Sequence, residues 1–319
     1  MSDNAPTPEN NELETATAAI AYRNENGARP ISPGGEAWRR LRRNPVAVVC
    51  GIYILLLVFV ALFANILAPY GYDAPDYAHR FLPPGPGHLL GTDRQGQDLF
   101  SRLLYGSRAS LGISLGVVVI ELVIGISLGL WAGYRSGLTD TLLMRFTDVM
   151  FAFPDILLAI LLIAIVQPKT GEVLPPVLSI ATLFFALGVV SWPGMARLVR
   201  GQALALREKE FVEAARAIGV REGTILRRHI LPNLLSPIIV QATQDIAGVI
   251  LAEATLSFLG LGVQAPIPSW GRMIFEALRL KEAHPLLLVA PSLALALTVM
   301  AFNFFGDALR DALDPRLRQ

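Results

Sequence analysis

Apolar residues collect in six runs along the chain, each long enough to cross a lipid bilayer. A transmembrane helix needs about 20 mostly apolar residues to cross the hydrocarbon core. The pattern predicts spans at 46–68, 109–133, 142–166, 177–196, 236–258 and 285–305. The first span is the clearest, because it contains no charged residue. The sequence therefore predicts an all-α polytopic membrane protein with six transmembrane helices.

Basic residues are distributed unevenly among the segments that connect these runs. If the N-terminus is inside, the inside segments hold 19 of the 27 Lys and Arg residues and the outside segments hold 8. Because cytoplasmic segments of membrane proteins are enriched in Lys and Arg, both termini are predicted to be cytoplasmic. Residues 69–105 and 259–284 are then outside, and residues 201–233 are inside.

The polar segments divide the chain into four parts. Residues 1–36 have no apolar period and predict a disordered cytoplasmic tail. Residues 37–70 form an N-terminal anchor with the first span, which four arginines between 39 and 43 are expected to hold at the inner surface. Residues 71–106 predict an extracytoplasmic loop. Residues 107–316 hold transmembrane helices 2–6 and the inside loop at 201–233, and form the core of the protein.

Several kinds of reactive site are missing from the sequence. None of the three lysines follows a glycine, as the lysine of an ATP-binding loop does. The single cysteine, Cys50, provides neither a disulfide within the chain nor a cysteine-based metal site. We therefore expect no catalytic residue, no metal site and no cofactor in this chain. Any ATP must be bound by another protein.

Glycines recur in the second span at a spacing that favours helix packing. Two Gly-x-Ser-x-Gly sequences occur there, but that hydrolase motif requires a strand-to-helix turn, so an intramembrane enzyme is disfavoured. Small residues four apart allow membrane helices to approach closely. We expect this packing at Gly112, Gly116, Gly125, Gly129 and Gly133.

The longest inside connection contains a predicted short helix. Its apolar residues Phe211, Ala214, Ala215 and Ile218 lie at i, i+3, i+4 and i+7, on one helical face. An alanine-rich face favours docking into a protein groove over lying on anionic lipid, where bulkier side chains are usual.

Residues around this face predict the ends and the ion pairs of the helix. Gly219 is placed to end it in a left-handed turn, and Pro232 suits the first turn of the fifth membrane helix. Glu213 is expected to pair with Lys209 at i−4 and with Arg216 at i+3.

The order Glu213-Ala214-Ala215, Gly219, Leu231-Pro232 resembles the EAA loop of binding-protein-dependent ABC importer permeases. His229 stands where that pattern often has isoleucine. Four further segments resemble the dipeptide, oligopeptide and nickel branch of this family: Gly91–Asp98 with Ser101-Arg102, Leu256–Gly262, Pro268–Gly271 and Gly306–Arg316. The branch usually has arginine at the position of Gln97.

The resemblance implies an ABC type I importer permease fold in a bacterial or archaeal cytoplasmic membrane. It implies a second homologous permease subunit, two cytoplasmic ATPases that bind ATP and Mg, an extracytoplasmic solute-binding protein and surrounding membrane lipid, with no role for nucleic acid. The expected solutes are dipeptides, oligopeptides or related molecules such as glutathione or nickel chelates. A secondary transporter or channel without ATP is the alternative, and it predicts no docking helix on the cytoplasmic side.

The resemblance also implies that the inside loop couples ATP hydrolysis to transport. The residues expected to take part are Phe211, Glu213, Ala214, Ala215, Arg216, Gly219 and Pro232.

The carboxyl groups of Glu121, Asp245 and Glu253 lie inside the predicted spans. An acid at the bilayer centre costs about 2.5–3.5 kcal/mol, so these side chains are expected to face the bundle interior or water. Either they line the solute route and favour a positively charged group such as a peptide amine, or they form hydrogen bonds between helices or stay protonated. Asp148 is expected to pair with Arg145 at i+3 near the inner surface.

Overall fold

The computed structural model describes residues 33–314, apart from 136 and 167–174. Residues 1–32 of the predicted tail and the last residues of the predicted core, 315 and 316, lie outside this range. The prediction of disorder is wrong for the last four tail residues, 33–36, which are helical. Within it the chain is helical, without a strand. The helices are α1 (Pro33–Arg43), α2 (Pro45–Leu67), α3 (Leu99–Arg135), α4 (Gly137–Phe151), α5 (Asp155–Val166), α6 (Pro176–Arg207), α7 (Glu210–Ala217), α8 (Glu222–Ile225), α9 (Leu231–Phe258), α10 (Trp270–Ala277) and α11 (Pro285–Leu313).

Five helical segments of the described chain are long and apolar enough to cross a membrane. They are α2, α3, α6, α11 and the stretch Glu222–Phe258, in which a turn of π-helix (Leu226–Ile230) joins α8 to α9. The predicted third span, 142–166, is instead a bent pair, because α4 and α5 meet at 87°. The prediction of one continuous helix there is wrong, whereas the count of six spans holds if the bent pair crosses once.

Pro154 accounts for the break. It lies between α4 and α5, it has no backbone N–H to donate, and it disfavours helical geometry at the preceding residue, Phe153. The carbonyl of Pro154 accepts a hydrogen bond from Leu158 N at 3.0 Å, and so begins the hydrogen bonding of α5. The apolar run continues across the break, which is why hydropathy alone predicts one helix.

Several membrane helices are longer than their apolar runs. α3 begins at Leu99 rather than at 109, and Asp98 caps it by accepting a hydrogen bond from Ser101 N at 2.7 Å. Arg102 and Arg108 lower the hydropathy of these first turns and conceal the start of the helix. α6 continues to Arg207 and α11 to Leu313, so both extend past the predicted spans.

Glycines bring α3 and α6 into close contact, as their spacing predicts. A Cβ added at Gly129 would lie 2.5 Å from the Ala196 carbonyl oxygen, and one at Gly133 would lie 2.8 Å from Ala203 Cβ. Gly125 is equally close to α6, and Gly116 faces the Phe184 ring. The prediction is wrong for Gly112, where an added Cβ would meet nothing within 4 Å.

Three apolar clusters follow one another along α3. The first contains Leu99 with α2, α10 and α11, the second contains Ile113 and Val117 with α5, α6 and α9, and the third contains Tyr134 with α6, α7 and α9. A 37-residue helix is about 55 Å long at 1.5 Å per residue. The first and third clusters therefore lie at opposite ends of the bundle.

Candidate functional site

α7 is held firmly on the end of the bundle by its inward face. Val212 and Ala215 are buried there with Ile225 and Ile230, which belong to the segment leading into α9. The Arg216 guanidinium lies over the Tyr134 ring, 5.2 Å from its centroid. α7 therefore contacts the last turn of α3, α6 and the segment that leads into α9.

The outward face of α7 is apolar and exposed. Phe211 is 43% exposed and Ile218 is 80% exposed, and Ala214 lies between them on the surface. The predicted apolar face is thus divided, because Ala215 packs inside the chain while Phe211, Ala214 and Ile218 point away from it. The predicted ion pairs of Glu213 do not form among the described residues, and Arg216 instead stacks on Tyr134.

The end of α7 follows the prediction. Gly219 has φ +78°, a left-handed conformation that costs glycine little. Gly219 N donates to Arg216 O at 2.9 Å and Val220 N donates to Ala215 O at 3.0 Å, the two hydrogen bonds of a Schellman motif. Pro232 lies in the first turn of α9, also as predicted.

Glu121 on α3 and Asp245 on α9 line one cavity of about 290 Å³ in the middle of the bundle. The Gln241 side-chain amide donates to Asp245 Oδ1 at 2.9 Å. Glu121 Oε2 and Asp245 Oδ2 are buried and have no donor among the described residues. The two carboxyl groups face each other closely enough to share a hydrogen bond when one of them carries a proton. The cavity therefore holds two carboxyl groups with unused capacity to accept hydrogen bonds.

A third acid, Asp155, lines the same cavity at the start of α5, directly after the break in the third span. Asp155 is not among the candidates identified from the sequence, although an acid that follows a proline within an apolar run indicates that the helix is interrupted there. Apolar side chains such as Ile156, Leu187 and Val249 form much of the remaining wall.

Glu253 does not line this cavity. Its side chain is fully buried and accepts hydrogen bonds from Ser257 Oγ at 2.7 Å and Ser110 Oγ at 3.3 Å. Since Ser110 belongs to α3, this geometry favours the alternative in which Glu253 joins helices. A Cβ at Gly271 would lie 2.5 Å from Ala254 Cα and 2.9 Å from Ser257 Cβ, so the Leu256–Gly262 and Pro268–Gly271 segments also pack at this place.

Ion pairs connect the bent helix pair to α6. Asp148 pairs with Arg197 at 2.9 Å, so the predicted pairing with Arg145 is wrong. Asp140 accepts from Arg200 Nε at 2.5 Å and from Arg200 Nη2 at 2.7 Å. Both contacts join residues far apart in sequence, which local spacing does not indicate.

The Gly91–Asp98 segment forms a compact loop against the start of α3. Thr92 Oγ1 donates to His79 O at 2.6 Å, and Asp93 Oδ1 accepts from Gln97 N at 2.9 Å. Gly96 has φ +77°, and a Cβ there would lie 1.7 Å from Asp76 O. These contacts explain why the segment needs glycines and short polar side chains at these positions. Among the residues that the structure describes, no group of three or more His, Cys, Asp or Glu side chains is placed to hold a metal ion.

Comparison with known protein families decides the identity of this helical bundle. A family model described as "Binding-protein-dependent transport system inner membrane component" matches residues 125–319. The chain belongs to this family. A second model, "N-terminal TM domain of oligopeptide transport permease C", matches residues 32–84 of the permease and covers α1 and α2.

Curated relatives agree with this assignment over most of their length. The permease is 44% identical over 288 residues to the glutathione transport system permease protein GsiD of Pectobacterium atrosepticum. The aligned region covers 90% of this chain and 92% of the relative. It is 41% identical over 288 residues to the dipeptide transport system permease protein DppC of Alkalihalophilus pseudofirmus, with 90% and 91% covered.

Solved structures show the same fold. The inward-facing MetNI methionine ABC transporter matches with a TM-score of 0.54 at 20% identity, covering 68% of the permease and 98% of that chain. The resemblance drawn from the EAA loop is therefore confirmed. The chain is a multi-pass membrane permease subunit of an ABC importer with the fold of that class.

Proposed function

We propose that this permease imports peptides or related small solutes, such as dipeptides or glutathione, across a bacterial or archaeal cytoplasmic membrane. It would do so with a second permease subunit, two ATPases that bind ATP and Mg, and an extracytoplasmic binding protein, with both of its own termini in the cytoplasm. The names of the glutathione and dipeptide relatives support the solute class. The uneven distribution of basic residues supports the orientation.

The outward face of α7 is the observation that carries this proposal. Phe211, Ala214 and Ile218 form an apolar surface with no partner among the described residues, at one end of the bundle. Contiguous exposed apolar surface marks interaction sites on proteins. An ATPase groove would cover this surface, while Val212 and Ala215 keep the helix attached to the permease.

Coupling follows from what the inward face of α7 touches. Arg216 contacts Tyr134 on α3, and Val212 and Ala215 pack with Ile230 next to α9. The same two helices carry the two cavity acids, with Glu121 on α3 and Asp245 on α9. A displacement of α7 by the ATPase would therefore act on both helices and change the distance between the two carboxyl groups, as a two-state coupling element requires.

The acid cavity supports a solute route that accepts positively charged groups. Glu121 Oε2 and Asp245 Oδ2 each lack a donor, and an unsatisfied buried polar atom costs about 1–3 kcal/mol. An ammonium group carries three donors and no acceptor, so a peptide amine would satisfy both oxygens. Glu253, whose oxygens are already used, would contribute to this route only indirectly through helix packing.

Copurification and reconstitution test the proposed function. An ATPase chain should copurify with the permease from mild detergent, and vesicles containing the complex should accumulate a dipeptide or glutathione only when ATP and a binding protein are supplied. Vesicles with ATP replaced by a non-hydrolysable analogue are the control. Uptake by the permease alone, driven by an ion gradient, would instead establish the secondary-transporter alternative.

A further inference from the structure

A second polar cavity lies at the end of the bundle opposite to α7. Its volume is about 490 Å³, and it is enclosed by the Gly91–Asp98 loop, the start of α3, α10 and the start of α11. Leu99 and Leu287 line it, and both belong to the apolar cluster at that end of α3. It is separate from the acid cavity, with which it shares no lining residue.

Positive charge exceeds negative charge in this cavity, which we call the arginine pocket. Two carboxyl groups, Asp93 and Glu276, line it together with four arginines, Arg94, Arg102, Arg272 and Arg279. Burial by itself raises the pKa of Glu276, but the charges and hydrogen bonds of Arg102 and Arg272 outweigh burial and leave that pKa below its usual value.

Every carboxylate oxygen in the pocket already accepts a hydrogen bond. Asp93 Oδ1 accepts from Gln95 N at 2.8 Å and from Gln97 N at 2.9 Å, while Asp93 Oδ2 accepts from Arg102 Nη1. Glu276 Oε2 accepts from Arg102 Nη2 at 2.9 Å, and Glu276 Oε1 accepts from Arg272 Nε at 2.7 Å. The two acids are thus occupied by the two inner arginines.

Donors, in contrast, remain unused. Arg102 is only 7% exposed, yet its Nε is buried without a hydrogen-bond partner among the described residues. Arg94 and Arg279 stand exposed at the rim and form no ion pair within the described part of the chain. The pocket therefore has two uncompensated positive charges and a shortage of acceptors.

We propose that the arginine pocket binds a carboxylate group. A carboxylate brings two acceptor oxygens and one negative charge, and guanidinium groups bind it in a planar, charge-assisted arrangement. Arg94 and Arg279 would hold it at the rim. Arg102, whose charge Asp93 and Glu276 already offset, leaves one N–H donor unused behind them.

The rim of the pocket indicates where the carboxylate comes from. Phe275 is 40% exposed and Leu278 is 39% exposed beside Arg279, and surfaces that combine aromatic residues with arginine are typical of protein interfaces. This favours an acidic side chain of the binding protein over the free carboxylate of a solute. The choice of source rests on the proposed function, whereas carboxylate binding itself does not.

Binding of ¹³C-labelled acetate tests the carboxylate site directly. The permease complex in nanodiscs of zwitterionic lipid should broaden the acetate carboxyl resonance, and the double variant Arg94→Ala/Arg279→Ala should weaken the affinity about tenfold or more, since hydrogen bonds to charged groups are lost. The double variant Arg80→Ala/Lys281→Ala removes the same charge from exposed positions outside the pocket. It should bind acetate as the wild type does. Equal broadening in all three proteins, or none in the wild type, would overturn the proposal.

A second arm distinguishes the two sources of the carboxylate. If the binding protein supplies it, the pocket variant should weaken association of that protein with the nanodisc complex about tenfold, and the control variant should not. If the solute supplies it, association of the binding protein should stay unchanged. The wild type should then transport a dipeptide with a free C-terminal carboxylate better than its amidated form, and the pocket variant should lose this preference. Wild-type complex that shows no stimulation by a binding protein would defeat the proposed function but leave the acetate result standing.

Discussion

Replacing Gly129 with alanine should force α3 and α6 apart. The added Cβ would lie 2.5 Å from Ala196 O and 2.8 Å from Val199 Cβ, whereas ordinary contact begins at 3.4 Å. The distance to Ala196 O would be 0.9 Å shorter than ordinary contact. Because this oxygen belongs to the backbone of α6, it can move away only if α6 moves. Overpacking of this kind costs about 1–3 kcal/mol.

Gly112 on the same helix provides the matched control, because a Cβ there meets nothing within 4 Å. Both substitutions change glycine to alanine inside α3, so the gain in helix propensity of about 0.5–1 kcal/mol is common to both. Gly116→Ala should be intermediate, since its Cβ meets the edge of the Phe184 ring, a side chain that can rotate.

The difference in stability is measured as the midpoint of thermal unfolding of the purified permease in detergent. The loss of its monodisperse elution peak on heating monitors the unfolding. The expected order of stability is Gly112→Ala above Gly116→Ala above Gly129→Ala, with the extremes separated by about 1–3 kcal/mol. Equal midpoints for Gly112→Ala and Gly129→Ala would refute the close packing of α3 on α6.

Three further predictions concern the route, the coupling helix and the topology. Asp245→Asn or Glu121→Gln should lower uptake of cationic peptides relative to neutral ones without loss of assembly, and loss of assembly with unchanged selectivity would favour a packing role. Ala215→Leu should destabilise the permease by about 1–3 kcal/mol because Ala215 is buried. Ala214→Leu should leave the unfolding midpoint unchanged and lower uptake per ATP hydrolysed. The reverse pattern would contradict the assigned faces of α7. A cysteine in place of Arg216 should not react with a membrane-impermeant thiol reagent added outside. Rapid labelling would show that the topology is the reverse of the predicted one.

Hydropathy predicted which parts of the chain cross the membrane, because each run of apolar residues must be buried in lipid or in the bundle. It did not predict the bend between α4 and α5, since Phe151 and Ile156 are equally apolar on both sides of Pro154. It also placed the start of α3 too late, because the polar first turns are stabilised by Asp98 and by contacts with the preceding loop.

The candidate site was predictable where the signal is local and not where it depends on packing. Gly219 ends α7 as its position indicates, but helical periodicity could not tell that Ala215 faces the bundle while Ala214 faces outward. Glu121 and Asp245 were both suspected as intramembrane acids, yet their meeting in one cavity depends on how α3 packs against α9. The pairing of Asp148 with Arg197 likewise joins two helices.

The outward face of α7 offers the most direct test of coupling through this helix. Ile218 is 80% exposed, so Ile218→Asp should leave the fold of the permease intact while placing a charge in the contact with the ATPase. Thr224→Asp, at an exposed position of α8, is the control. The measurement is binding-protein-stimulated ATP hydrolysis and solute uptake in the same vesicles. Ile218→Asp is expected to abolish stimulated hydrolysis and uptake together, or to release the ATPase, whereas Thr224→Asp should keep both. Normal, ATP-coupled uptake by Ile218→Asp would contradict coupling through this helix.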